Sequence, residues 1–234
     1  MNLIRLKRHA LIIILLTGYA YVSAQHRSNA DYYSRLTVHN FRKDNSLNQT
    51  IDFEHPDYPR LNAAIFFATN EQRRLKRLHL LTYSALLEES AAMHSKDMCN
   101  RNFFSHTNPV DRKKRNPNDR ARLVGILNPY LAENIATAFG LQYEQDKDVV
   151  VKGPGKFSYP NKTDLLPPHT YLSVADVLLI SWMNSEGHRR NILSDKALQL
   201  GCGTIMYRDN SFNLMPTFIA TQNFQEYEAI NDSK

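Results

Sequence analysis

Two histidines and one glutamate mark this chain as a place where chemistry could be done: His106, Glu133 and His188. Each stands at the end of a segment rather than inside one, and the three segments are far apart in sequence. Two imidazoles and a carboxylate from separate segments can hold a divalent metal such as zinc with open coordination positions. Alternatively, the glutamate can orient one histidine by accepting its ring N–H. Taken singly, a histidine is more often structural or solvated than a ligand. The functional reading therefore depends on the three being brought together.

Other chemistries are struck out by spacing. His94 is followed by Ser95-Lys96-Asp97, and His106 by Thr107-Asn108-Pro109, so there is no His-Glu-x-x-His zinc helix. Gly155-Lys156 lacks the remaining residues of a phosphate loop, and Gly201-Cys202-Gly203 has Met206 where a third glycine would stand. Ser185 has Met183 two residues before it, which excludes a nucleophile elbow. There is no Cys-x-x-Cys.

The elements that must position the three residues can be read from periodicity. Leu61, Ile65, Ala68 and Leu75 share a helical face behind Pro59, with Glu71, Gln72, Arg73, Arg74 and Lys76 mostly outward. Leu87, Ala91, His94 and Met98 form the stripe of a second helix over about 84–102, with His94 read as a hydrogen-bonded core histidine. Phe103 and Phe104 then anchor His106, just past that helix. Arg112, Lys113, Lys114, Arg115, Arg120 and Arg122, mixed with Asp, Asn and Pro, read as a solvated loop. Glu133 lies in a short apolar segment, where a charge is costly to bury without a partner. Residues 139–170 form an irregular insertion, strand-like only at Val149–Val151. Ser173-Val174-Ala175-Asp176 resembles a capping box and opens a helix through Trp182. A second short helix starts near Ser185 and carries His188. Strands over about 201–208 and 214–224 close a hairpin. Helices first and strands later predict an α+β fold with an antiparallel sheet.

Composition and charge set the address. Arg5, Lys7 and Arg8, a short apolar core and Val22-Ser23-Ala24 read as a signal peptide over residues 1–24, since the apolar run falls short of the ~20 residues of a membrane span. Three basic and no acidic residues would leave with it, lowering the net charge from +6 to about +3. That is too mild for a nucleic-acid partner. Residues 25–58 read as a polar arm or linker with Tyr32, Tyr33 and Phe41 as contacts, 59–228 as one domain, and 229–234 as a tail. Cys99 and Cys202 are either bridged, as export permits, or two separate buried thiols.

Four blocks in series then resemble the CAP superfamily (the SCP, or sperm-coating-protein, domain) in its bacterial form. These are Phe104-Ser105-His106, Glu133-Asn134-Ile135, the run from Trp182 to Leu193, and Thr221-Gln222-Asn223-Phe224. The resemblance covers about residues 60–226 and implies a three-layer α-β-α sandwich with a central antiparallel sheet and a cleft. It places two histidines and two acids in that cleft, holding a metal in some members. His106 and His188 match the histidines and Glu133 the first acid, while Ser185 stands where the second acid is expected. A serine cannot replace a carboxylate as ligand or base. The resemblance therefore implies a secreted or periplasmic, non-enzymatic binding module. Its ligand cleft would contain His106, Glu133, Ser185 and His188, with zinc or another divalent metal on His106 and His188. The expected partner is an extracellular lipid or cell-envelope component, with no transmembrane anchor on the mature chain. The competing expectation is a metal-dependent hydrolase at the cell envelope.

Overall fold

The computed structural model of the protein describes residues 31–144 and 146–230. The signal-peptide reading, and the tail beyond residue 230, lie outside the described residues.

Helix α1 spans Tyr58–Leu75, with the Asp57 carboxylate accepting the Arg60 N–H at 3.0 Å and Pro59 in the first turn. Strand β1 is the two-residue Thr82–Tyr83. Helix α2, Ala85–Arg101, is capped by Ser84 and ends at Asn102 in the left-handed region (φ 52°). The short α3 covers Pro117–Leu123, and β2 covers Leu131–Phe139. Strands β3, Val150–Gly153, and β4, Lys156–Ser158, make a small hairpin inside the insertion. Helix α4 is Tyr171–Asn184, α5 is Glu186–Ile192, β5 is Ala197–Asp209 and β6 is Met215–Glu226.

The main sheet runs β1-β5-β6-β2. Its three long strands are antiparallel, as expected, while the two-residue β1 adds a parallel edge and makes the sheet mixed. Side chains alternate across it. Gly201 and Gly203 face α2 so closely that a Cβ would fall 2.0 Å from its backbone nitrogens. Cys202 and Thr204 face the opposite way, where Thr204 donates to Asn62 of α1 at 2.8 Å. On that second side α1 and α4 pack together over the sheet. Leu61, Ala64, Ile65, Ala68, Val174, Leu178 and Trp182 form the main core with Leu200 and Phe218. Two helical layers enclose one sheet, so the α-β-α sandwich stands.

Several local expectations change. Residues 36–51 are part of the domain, not a tether, because Leu36, Val38, Phe41, Leu47 and Ile51 are buried. Arg42 locks the segment down by binding both Glu71 and Asp176. Leu75 is exposed, whereas Arg73 is buried and donates to the Ile192 and Ser194 carbonyls at the end of α5. The capping box of α4 sits three residues upstream of the expected place. There Thr170 accepts the Ser173 N–H, and Ser173 accepts the Thr170 N–H. Cys99 and Cys202 are free thiols. Ile230 is buried and exchanges hydrogen bonds with Gln199, so the tail is tied down at its start. Among the described residues, no helix is long and apolar enough to cross a membrane.

Candidate functional site

β2 is one of the two edge strands of the main sheet, and α3, α4 and α5 all pack against it. In the β2–β6 register Glu133 lies opposite Asn223 and Asn134 opposite Gln222. Alternation therefore sends Glu133 to the α2 side and Asn134 to the α1 side. His106 arrives from the first layer and His188 from the second.

The route to His106 is fixed by the end of α2. The left-handed Asn102 turns the chain, and the Phe103 N–H closes onto the Met98 carbonyl at 3.2 Å. Asn108 is buried, donates to Asp97 at 3.2 Å and accepts from the Val110 and Asp111 amides. Lys114 pairs with the same Asp97 at 3.0 Å. Phe103 packs beside Met98, Ile135 and Ile219, whereas Phe104 is largely exposed.

Held this way, His106 Nδ1 donates to Glu133 Oε1 at 2.9 Å. The imidazole is 49% exposed and the carboxylate 2%, so the buried acid presents the histidine outward. Glu133 Oε2 accepts from Arg120 at 2.6 Å, with both side chains buried. The Asn223 amide, turned with its nitrogen toward the carboxylate, donates to the same oxygen at 3.1 Å and accepts from the Ala91 N–H. Arg120 also donates to the carbonyls of His106, Lys114 and Arg115, tying the loop that carries His106 to the acid beneath it.

His94 completes the buried side. Its Nε2 donates to the Ser105 carbonyl at 3.0 Å and lies 3.7 Å from Glu133 Oε1. Burial holds its pKa down at about 4, with Glu133 opposing that shift and Arg120 reinforcing it. His94 is therefore neutral at physiological pH.

On the other layer, Asn191 of α5 donates to Asn134 Oδ1 at 2.8 Å and to the Glu133 carbonyl at 3.3 Å. Asn134 in turn donates to the His188 carbonyl and to Gln222, which donates to Thr69 of α1. A buried amide network thus fixes α5 to the strand that carries Glu133. The His188 ring lies 6.5 Å from that of His106, centroid to centroid. Its pKa is lowered by partial burial and then by the positive charge His106 can carry. Ser185 is the N-cap of α5, and its carbonyl accepts the Arg189 N–H at 2.8 Å.

The structure thus brings His106, Glu133 and His188 to one edge, with Ser185 one turn before His188. Glu133 meets the demand for a buried partner through Arg120, which lies in the stretch read as a solvated loop. The sequence signal for it is Asn116-Pro117-Asn118-Asp119, a capping box with proline that opens α3 and turns Arg120 and Ala121 inward. His94 is the core histidine expected, and its closeness to Glu133 follows from the stripe it shares with Ala91 and Met98. Toward a divalent ion the site offers two imidazoles, because both oxygens of Glu133 are engaged by His106, Arg120 and Asn223. Among the described residues no group of three or more His, Cys, Asp or Glu is arranged to hold a metal.

The CAP model, described as the cysteine-rich secretory protein family, matches residues 66–224. YkwD, an uncharacterized protein of Bacillus subtilis, is 28% identical over 137 residues, which are 58% of this chain and 39% of that protein. Among solved structures, an extracellular SCP-domain protein from Bacillus anthracis is 26% identical with a TM-score of 0.47, over 73% of this chain and 41% of that one. An outer surface protein from Borrelia burgdorferi is 12% identical with a TM-score of 0.45, over 77% and 99%. The chain spans about two-fifths of the length of the two Bacillus relatives.

Proposed function

This chain belongs to the CAP family, and from that membership we propose that it is an exported binding module and not a hydrolase. Its ligand meets His106 and His188 at the β2 edge. The observation that carries this reading is the commitment of Glu133. A carboxylate that holds His106 on one oxygen and the buried Arg120 on the other acts as an orienting anchor. A general base has to reach the proton it removes, and Glu133 is spent on the residues around it. Ser185, standing where the family pattern has a second acid, supplies no replacement.

Export rests on the N-terminal pattern of residues 1–24 and on the secretory character of the family. The ligand would then be an extracellular lipid or cell-envelope component that exposes groups to two imidazoles. A divalent ion such as zinc fits the same place only through His106 Nε2 and His188, with His106 Nδ1–H kept on Glu133. Two protein ligands make such a site weak.

Turnover by the purified chain tests the reading. Peptide, ester and peptidoglycan substrates are incubated with the wild type, His188→Ala and Glu133→Gln, with and without added zinc. No turnover that either variant removes is expected. Turnover that either substitution abolishes overturns the binding reading in favour of the hydrolase.

A further inference from the structure

The segment between β2 and α4 leaves an open cavity of about 620 Å³ beside the N-terminal end of α4. That volume lies within the roughly 300–1,000 Å³ of small-ligand sites. It is remote from the histidine pair. Thr170 and Ser173 at the start of α4 line it, whereas His188 follows the other end of that 14-residue helix. At 1.5 Å per residue the helix separates the two places by about 21 Å.

One lining residue of the cavity is anchored in a small core: Leu166 packs with Leu141, Phe157 and Met215. The Leu166 N–H bonds the Phe157 carbonyl at 2.7 Å, and the Tyr159 hydroxyl accepts the Glu144 N–H at 2.8 Å. Tyr143, Glu144, Tyr159, Lys162, Asp164 and His169 supply its aromatic and titratable lining. Glu144 and Asp164 are its two carboxylates and Lys162 its one ammonium, while Lys147, outside the lining, supplies a second ammonium to Glu144. Burial lowers the pKa of His169 and so keeps it neutral at physiological pH.

One side chain already displays what this lining attracts. Lys147 reaches back so that its Nζ lies 5.4 Å from the centre of the Tyr159 ring and pairs with Glu144 Oε2. A ring face and a carboxylate are together a recognised environment for an ammonium group. Lys147 and Glu144 are 54% and 62% exposed, so their pairing is weak and easily exchanged. We propose that this cavity is a second binding site, for a ligand bearing a primary ammonium. Glu144 and Tyr159 receive that ammonium, and Lys147 is the internal group it displaces.

The test is an NMR titration of the full chain with acetyl-Ala-Lys-Ala-amide and, separately, with 1,5-diaminopentane. The two probes distinguish a lysine side chain from a small free polyamine as the source of the ammonium. Saturable shifts at Glu144, Tyr159 and Asp164 with either probe are expected, and none with the Nε-acetylated peptide. Lys147→Gln removes the internal competitor and should tighten binding, by up to about fivefold for a surface pair. Glu144→Gln and Tyr159→Leu should each weaken it at least fivefold. All three positions lie outside the main core, so folding should survive, as an unchanged spectrum elsewhere will report. No saturable shift in either the wild type or Lys147→Gln, or equal binding of the acetylated peptide, overturns the proposal. Because the readout is local to this cavity, the result is independent of the histidine site.

Discussion

Arg120 Nη2 and Glu133 Oε2 meet at 2.6 Å with both side chains out of contact with solvent. This one pair ties α3 to β2, neutralises the acid and leaves its second oxygen for His106. Removing one member of a buried pair strands the other charge, which costs about 3–5 kcal/mol. Arg120→Ala should lower unfolding free energy by that order in urea denaturation. A loss under ~1 kcal/mol would mean the pair is far better solvated than its burial indicates.

His94 makes the fold sensitive to acid. Its pKa is about 4 in the folded chain against 6.5 unperturbed, so between those values the unfolded state binds the extra proton. The contribution is complete above pH 6.5, is lost as pH falls through the interval, and is flat below 4. On this basis the stability difference is on the order of 3 kcal/mol. Chemical denaturation from pH 7.5 to 4 should show that loss in the wild type and a smaller one in His94→Gln. Equal slopes would remove His94 as the cause.

Zinc affinity should be weak and carried by the two imidazoles. Isothermal titration should detect binding that disappears in the His106→Ala, His188→Ala double variant. Ser185→Glu places an oxygen donor one turn before His188 and should tighten binding at least tenfold. Equal uptake by the wild type and the double variant would place the ion elsewhere.

Much of this architecture is legible in the sequence. The stripe Leu87, Ala91, His94 and Met98 is buried throughout, because four apolar or hydrogen-bonded residues on one face leave α2 a single way to lie on the sheet. Glu133 announced a partner by standing charged in an apolar strand. The identity of the partner was hidden, since Arg120 sits among five other basic residues and only the α3 cap distinguishes it. The N-terminal segment hides its packing for a related reason. Leu36, Phe41, Leu47 and Ile51 follow no regular period, and irregular chain can fill a core groove without announcing it. The charge of Arg73 points outward by pattern, whereas a guanidinium that caps the carbonyls at the end of α5 is stable inside.

Glu133 should act on His106 and not on a substrate. The tautomer of His106, read from ¹⁵N-edited NMR of its ring near pH 8, decides between the two. The expected ring carries its proton on Nδ1, with a downfield N–H signal that is lost in Glu133→Gln, and leaves Nε2 open to the cleft. A ring protonated at Nε2, unchanged by Glu133→Gln, would contradict it.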